Sequence, residues 1–400
     1  MRVALLSKEF PPEIYGGAGI HVQCMAAALA PLVDLEVHCF GTERPTDPSM
    51  EVFAYQPWER LEGDAPLLGA LRAMSVDLCM AAALEGVDVV HSHTWYANWA
   101  GYLAHILYDV PHVVTVHSLE PLRPWKAEQL GAGYRLSSLC ERMGVEGANA
   151  IVAVSNAVAR DISACYPLAD PSRITVIPNA VDPEEFRPDP RTDVLERYGI
   201  DTGRPNVVFF GRVTRQKGIG HLLNAFRDLD PGIQLVLRAG AADTAELSRE
   251  VAEGVHRLNE ERGGVIWIKE SLERDELAQL LSHATVVCVP SVYEPSGMVN
   301  MEAMACEAPV VASAVGGIPE IVVDGVTGLL VHFEPRSASD SEPADPVAYA
   351  HDLAAALNRV IGDPALAEKL GQAGRRRVVE QFSWTAVGRR TVELYRSLLA

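Results

Sequence analysis

Two consecutive doubly wound α/β domains, each a parallel sheet between helices, are predicted by the sequence on three grounds. Short apolar runs alternate with helix-length segments, which is the signature of β-α-β units. Those runs are almost continuously apolar, as strands covered on both faces require. The chain has 400 residues, 48% of them apolar, and so outgrows the ~250–300 at which a single core stops growing.

In chain order, the first domain offers the runs "RVALLS" (2–7), "LEVHCF" (35–40), "VDVVHSH" (87–93), "HVVTVH" (112–117), "AIVAVS" (150–155) and "ITVIPN" (174–179). The second repeats the pattern with "NVVFFG" (206–211), "IQLVLRAG" (233–240), "VIWIKE" (265–270), "TVVCVPS" (285–291), "PVVASAV" (309–315) and "GLLVHF" (328–333). Residues 181–204 are dense in Pro and charge and lose the apolar period, so they are read as a linker between domains at 1–180 and 205–383. "EPRSASDSEPADP" (334–346) reads as an exposed loop, and 384–400 as an amphipathic helix with no strand after it.

A net charge of −19 argues against nucleic acid or an anionic membrane as the main partner, since both need a basic footprint. Any anionic ligand must then be met by a local group of Lys and Arg. The 7 cysteines form no C-x-x-C pair, which suits small core residues in a reducing cytoplasm rather than a zinc site or disulfide framework. The apolar opening breaks at Lys8 and Glu9, too early for a signal-peptide core, and no run is long enough to span a membrane.

Ligands of doubly wound sheets bind beyond the carboxyl ends of the strands. Unusual residues collect there: "KEFPPEIYGGAG", "HSHTWYANW" and "HSLEPLRPWK" in the first half, "FFGRVTRQKG", "PSVYEPSG" and "VGGIPE" in the second. Loops of this kind on both sheets imply a cleft between facing domains. In "PSVYEPSGMVNMEAMA" (290–305), Glu294 and Glu302 flank a turn that opens a helix. The helix N-terminus suits a phosphate, and the carboxylates suit hydroxyl groups on either side of it. A nucleotide sugar has that layout. Arg212 and Lys217, at the end of "NVVFFG", would supply the cations, one as a clamp and one as a point charge.

Gly16, Gly17 and Gly19 admit either a flexible loop or a close backbone approach to phosphate. Neither a G-x-G-x-x-G after a strand nor a P-loop is present, which removes the main support for nicotinamide or P-loop readings. His91 and His93 are expected on opposite faces of their strand, and so unable to share an ion. His117 is the best candidate for contact with the reacting sugar. Trp95, Tyr96 and Trp99 are candidate sugar-stacking faces, with helix core as the alternative for Trp99 and Tyr102.

Taken in order, "GGAG", "HSHTWYA", "VTVHS", "IPNAVD", "FFGRVTRQKG", "PSVYEPSGMVNMEAMA" and "VGGIPEIVVDGVTGLLV" resemble the retaining nucleotide-sugar glycosyltransferases of GT-B fold over almost the whole chain. The chain is most similar to the short bacterial glycogen-synthase-like enzymes. Longer bacterial glycogen synthases open with Lys-x-Gly-Gly, where this sequence has Tyr15-Gly16-Gly17.

The resemblance implies two Rossmann-like domains, with the last helix crossing back to the first so that Trp384 and Tyr395 are packing residues. It implies that Glu294 binds hydroxyls of the transferred glucose, that Gly297 and Met298 offer backbone N–H groups to the distal phosphate, that Ser296 and Val299 also belong to the donor site, and that Glu302 holds the ribose. Arg212 and Lys217 would neutralise the diphosphate, His117 would lie against the donor sugar and Gly17 beside the phosphates. ADP-glucose as donor rests on the resemblance alone. For the acceptor, His93, Trp95, Arg123, Lys126, Tyr134 and Arg135 are the candidates. The three cations favour a sugar phosphate, glucose-1-phosphate, over a neutral α-glucan chain. With no Asp-x-Asp at a strand end, transfer is expected to be metal-independent and to need no cofactor. A glycogen synthase and a non-catalytic sugar-nucleotide sensor are the alternatives. Oligomeric state stays open, with a homodimer as one option.

Overall fold

A computed structural model describes residues 1–45, 47–62, 66–337 and 340–400. It divides into two compact units, Met1–Asn179 with Trp384–Ala400, and Ala180–Ser383.

The first unit is built on seven parallel strands, β1 (Arg2–Ser7), β2 (Asp34–Phe40), β3 (Glu51–Tyr55), β4 (Val89–His93), β5 (His112–Val116), β6 (Ala150–Ala153) and β7 (Ile174–Val176). Their order in the sheet is β3-β2-β1-β4-β5-β6-β7, so the winding reverses between β1 and β4. β3 was not expected from its sequence. It is an edge strand, with Glu51 and Phe53 exposed, and it lacks the continuous apolar run of its neighbours. Helix Trp384–Leu399 packs on helix Gly17–Leu29, close enough that a Cβ on Gly388 would lie 3.0 Å from Ala28 O. Its Tyr395 is fully buried, with the hydroxyl 2.5 Å from His91 Nδ1.

The second unit holds six parallel strands, β8 (Asn206–Val213), β9 (Gln234–Ala242), β10 (Val265–Ile268), β11 (Val286–Val289), β12 (Val310–Ser313) and β13 (Leu329–Val331), in the order β10-β9-β8-β11-β12-β13. Successive residues of β8 serve two cores: Val207 and Phe209 pack on one side, Val208 and Phe210 on the other. Burial on both faces is why these strands read as unbroken apolar runs. The segment 181–204 is not a linker. Val181, Phe186, Val194, Leu195 and Ile200 are buried in the second core, and helix Asp193–Arg197 is tied to it where Val194 N–H donates to Gln279 Oε1 at 2.6 Å. Its Pro and charged residues cover the outside of that packing. The presumed loop at 334–346 contains an antiparallel pair, β14 (Pro335–Ser337) and β15 (Asp340–Pro343). Its polar, Pro-rich composition hid the pairing. Among the described residues, no helix is long and apolar enough to cross a membrane.

Candidate active site

In the second unit the winding reverses between β8 and β11, which lie side by side. Such a reversal leaves a crevice at the carboxyl ends of the strands. The loops after β8, β11 and β12 meet there. Val292 N–H donates to Gln216 O at 2.9 Å, and Gly317 N–H donates to Glu294 O at 2.8 Å. This crowding explains two glycines: a Cβ on Gly218 (φ 63°) would lie 2.0 Å from Pro290 O, and one on Gly316 (φ 57°) 2.0 Å from Glu294 O. Both also hold a left-handed backbone that other residues adopt at a cost.

Glu294 is 6% exposed. Its Oε2 lies 2.6 Å from Lys217 Nζ and accepts from Ser291 Oγ at 3.2 Å, while Oε1 accepts from Gly297 N–H at 3.2 Å. Lys217 and Glu294 therefore form one charge-compensated unit. Gly297 (φ 82°) caps the helix Met298–Ala305, whose first N–H groups, on Met298 and Val299, have no acceptor within the helix. Ser296 is half-buried in the turn before it. Glu302, one turn further in, is 9% exposed, and burial pushes its carboxyl from 4.5 up to about 7 against the pull of Arg274 and Lys217. Arg212 Nη1 lies 3.1 Å from Asp243 Oδ1, at the end of β9. Asp243, which the sequence reading passed over, holds this guanidinium; the signal for it was a lone acid at a strand end beside the Arg-bearing strand.

In the first unit, the Gly16–Gly17 turn follows β1. The Oε2 of Glu9 accepts from the N–H groups of both Tyr15 and Gly16 at 2.8 Å, and Gly17 is exposed at the first position of its helix. A Cβ on Gly19 would lie 2.6 Å from that same carboxylate oxygen. Glu9 thus fixes the loop, a role invisible in a sequence where it reads as a surface charge.

His91 and His93 lie on the same face of β4, with ring centroids 4.5 Å apart, because residues two apart in a strand point the same way. The expectation that they point apart was wrong. His91 is taken up by Tyr395 and by Thr115 Oγ1 at 2.7 Å. His93 is fully buried, so it does not serve an acceptor directly, and its Nδ1 lies 3.1 Å from Nε2 of half-buried His117. His21, from helix Gly17–Leu29, joins them with centroids 4.6 Å from His117 and 5.4 Å from His93. Burial, then the neighbouring imidazoles, holds His93 and His117 well below 6.5, and burial, against the opposing effect of Asn179, takes His21 to about 4. Burial disfavours the charged form of all three imidazoles.

Trp95 is 5% exposed and packs with Ala70, Ala73 and Cys140, so it is core and not a sugar platform. Arg123 Nη1 donates to Ser118 Oγ at 2.9 Å and pairs with Glu120 Oε1 at 3.4 Å. Buried Glu120 also accepts from Ser137 Oγ at 3.0 Å, and its N–H donates to Glu141 Oε1 at 2.8 Å. The Tyr134 hydroxyl donates to Glu120 O. Arg123 and Tyr134 therefore brace the 118–141 segment from inside; of its other cations Lys126 is half-buried and Arg135 exposed.

Two reversed-order parallel sheets, one carrying a Lys–Glu pair against a helix N-terminus, define a sugar-transferring enzyme of two Rossmann-like units. Residues 15–185 match the model for Glycosyltransferase Family 4, and residues 190–342 match that for Glycosyl transferases group 1. The chain belongs to the glycosyltransferases of GT-B fold. It is 50% identical over 403 aligned residues to alpha-maltose-1-phosphate synthase of Mycobacterium tuberculosis, covering 100% of both proteins. The glycogen synthase of the same organism is 29% identical, with 99% of this chain and 94% of that protein aligned. Sucrose-phosphate synthase from Thermosynechococcus elongatus superposes with a TM-score of 0.83 at 28% identity, over 100% of this chain and 99% of that one.

Proposed function

We propose that this glycosyltransferase moves glucose from ADP-glucose to glucose-1-phosphate with retention of configuration, giving α-maltose-1-phosphate. The observation that carries the reading is the Lys217–Glu294 pair at the start of helix Met298–Ala305. Glu294, held by Lys217, Ser291 and Gly297, accepts hydroxyls of the transferred glucose. The N–H groups of Met298 and Val299, with Ser296 and Gly297, receive the distal phosphate, and Glu302 in its ionised form holds the ribose. Lys217 and Arg212 offset the charge that grows on the leaving diphosphate, without a metal ion there. The acceptor hydroxyl attacks from the side the diphosphate leaves, and the departing phosphate oxygen takes its proton. His117 contacts the donor sugar, and Gly17 lies beside the phosphates.

The acceptor assignment draws support from the 50% identity with a protein named for maltose-1-phosphate synthesis and from the cations of the 118–141 segment. Elongation of an α-glucan is the second reading, supported by the 29% identity with a glycogen synthase. The seven cysteines form no disulfide, which suits a reducing cytoplasm. Product analysis with ADP-glucose and UDP-glucose, each against glucose-1-phosphate, glycogen and no acceptor, tests the proposal. Maltose-1-phosphate from ADP-glucose is expected; faster transfer to glycogen than to glucose-1-phosphate would overturn it.

A further inference from the structure

We propose that His21, His93 and His117 form a binding site for one zinc-class divalent cation in the first unit. Three separate elements converge to make it: helix Gly17–Leu29 brings His21, the last residue of β4 is His93, and His117 follows β5 directly. One nitrogen from each ring lies within 4.8 Å of the other two. The one close pair, His93 Nδ1 and His117 Nε2, is separated by 3.1 Å. Two ligand nitrogens at tetrahedral zinc, each ~2.0–2.1 Å from the ion, stand roughly 3.3 Å apart. The pair is therefore already spaced as two ligands of one ion.

A hydrogen-bonded histidine core would account for that pair alone. It does not account for His21, which is 1% exposed and whose Nδ1 and Nε2 both lack a hydrogen-bond partner. Asn179 is the polar side chain that bears on His21, lifting its pKa against burial, but its contact falls short of a well-formed hydrogen bond at either ring nitrogen, and Asn179 Oδ1 is itself unpartnered. The Nε2 of fully buried His93 has no partner either. Buried polar atoms are ordinarily paired, and unpartnered nitrogens on two rings of one histidine cluster point to a ligand there.

The surroundings have the features of a metal-site frame. His91 stacks on His93, and its own nitrogens are held by Tyr395 and Thr115, so it braces the cluster without competing for the ion. Trp384 stands edge-on to His21 at 5.3 Å and forms an apolar wall. Imidazoles without thiolates favour zinc and its borderline neighbours over magnesium or calcium, and three protein ligands leave a fourth position for water. The Lys and Arg assigned to the diphosphate are not among its ligands, but His117 is also the donor-sugar contact proposed above, so a bound ion and the donor sugar would compete for that imidazole.

The test is a titration of the metal-stripped full chain with Co²⁺ and then Zn²⁺, with no nucleotide sugar present, so its outcome is independent of the transferase reading. One equivalent of Co²⁺ should give a tetrahedral visible band without thiolate absorption, and Zn²⁺ should displace it. His21→Gln and His93→Gln should each abolish the band, while His256→Gln, on an exposed helix, should keep it. No band, a band unchanged in both cluster variants, or a thiolate band from the cysteines would overturn the proposal. In case the buried variants fold poorly, X-ray absorption at the zinc edge of the unmodified protein gives a second measurement. Imidazole nitrogens at ~2.0–2.1 Å are expected, and sulfur at ~2.3 Å would refute the site.

Discussion

Lys217 Nζ lies 2.6 Å from Glu294 Oε2, joining the loop after β8 to the loop after β11 across the reversal of the sheet. A buried pair of this kind fixes two side chains with one contact, and removing either leaves the other charge uncompensated. Lys217→Ala and Glu294→Ala should each lower kcat by at least ~10²-fold. The double variant should lose less than the product of the single losses, because the residues act together. A full double-mutant cycle in steady-state kinetics checks this; multiplicative losses would assign the two residues separate tasks.

Glu302 gives a pH signature with two opposite parts. Its folded pKa of about 7 exceeds the ordinary 4.5, so the folded state binds the extra proton. Its contribution to stability is therefore complete below 4.5 and disappears as pH rises through about 7. Binding of a ribose hydroxyl favours the ionised form, so the donor KM should fall over the same range. Glu302→Gln should flatten both the melting-temperature slope and the KM profile.

Gly316 and Gly325 separate backbone strain from collision. Both have left-handed φ, 57° and 69°, but a Cβ on Gly325 meets nothing within 4 Å, whereas one on Gly316 would strike Glu294 O. Gly325→Ala should cost roughly 1–2 kcal/mol, the penalty for that conformation alone. Gly316→Ala should cost more and also reduce turnover, since it pushes on the backbone that carries Glu294. Chemical denaturation and kcat measured on both variants provide the comparison.

The 118–141 segment predicts unequal effects among its three cations. Lys126→Ala and Arg135→Ala should raise the KM for glucose-1-phosphate and leave maltooligosaccharide kinetics nearly unchanged. Arg123→Ala should lower the melting temperature as well, because Arg123 neutralises buried Glu120. If neither Lys126 nor Arg135 affects glucose-1-phosphate, its phosphate is bound elsewhere.

Tyr395→Phe removes the hydroxyl facing His91 Nδ1 inside the first unit. A buried nitrogen left without its partner costs ~1–3 kcal/mol, to be read from equilibrium unfolding. Activity per folded molecule should be retained.

The strands that were legible in the sequence are those buried on both faces, where the fold demands an unbroken apolar run, as at 207–210 in β8. β3 and the β14–β15 pair were not legible, because edge and surface strands need no such run. Residues 181–204 misled for a related reason: Val181, Phe186, Val194, Leu195 and Ile200 are core residues spaced without a helical or strand period, so Pro and charge dominate the reading. In the site, residue types at strand ends pointed to Lys217, Glu294 and Glu302, while their pairings did not follow from one dimension. Glu9, Asp243 and His21 were missed because their importance comes from what they touch. Trp95 misled in the opposite sense, since an aromatic at a strand end fills a core as readily as it stacks on a sugar.

The first unit is completed by a helix encoded after the whole of the second. During synthesis its seven strands leave the ribosome well before Trp384 and Tyr395 exist. Throughout that interval His91 Nδ1 lacks its Tyr395 partner, and the surface of helix Gly17–Leu29 that later receives the final helix stays uncovered. The second unit is a single uninterrupted segment and has no such wait. The order of domains along the chain is thus not the order in which they are finished, and the nascent first unit is the one that needs protection from aggregation.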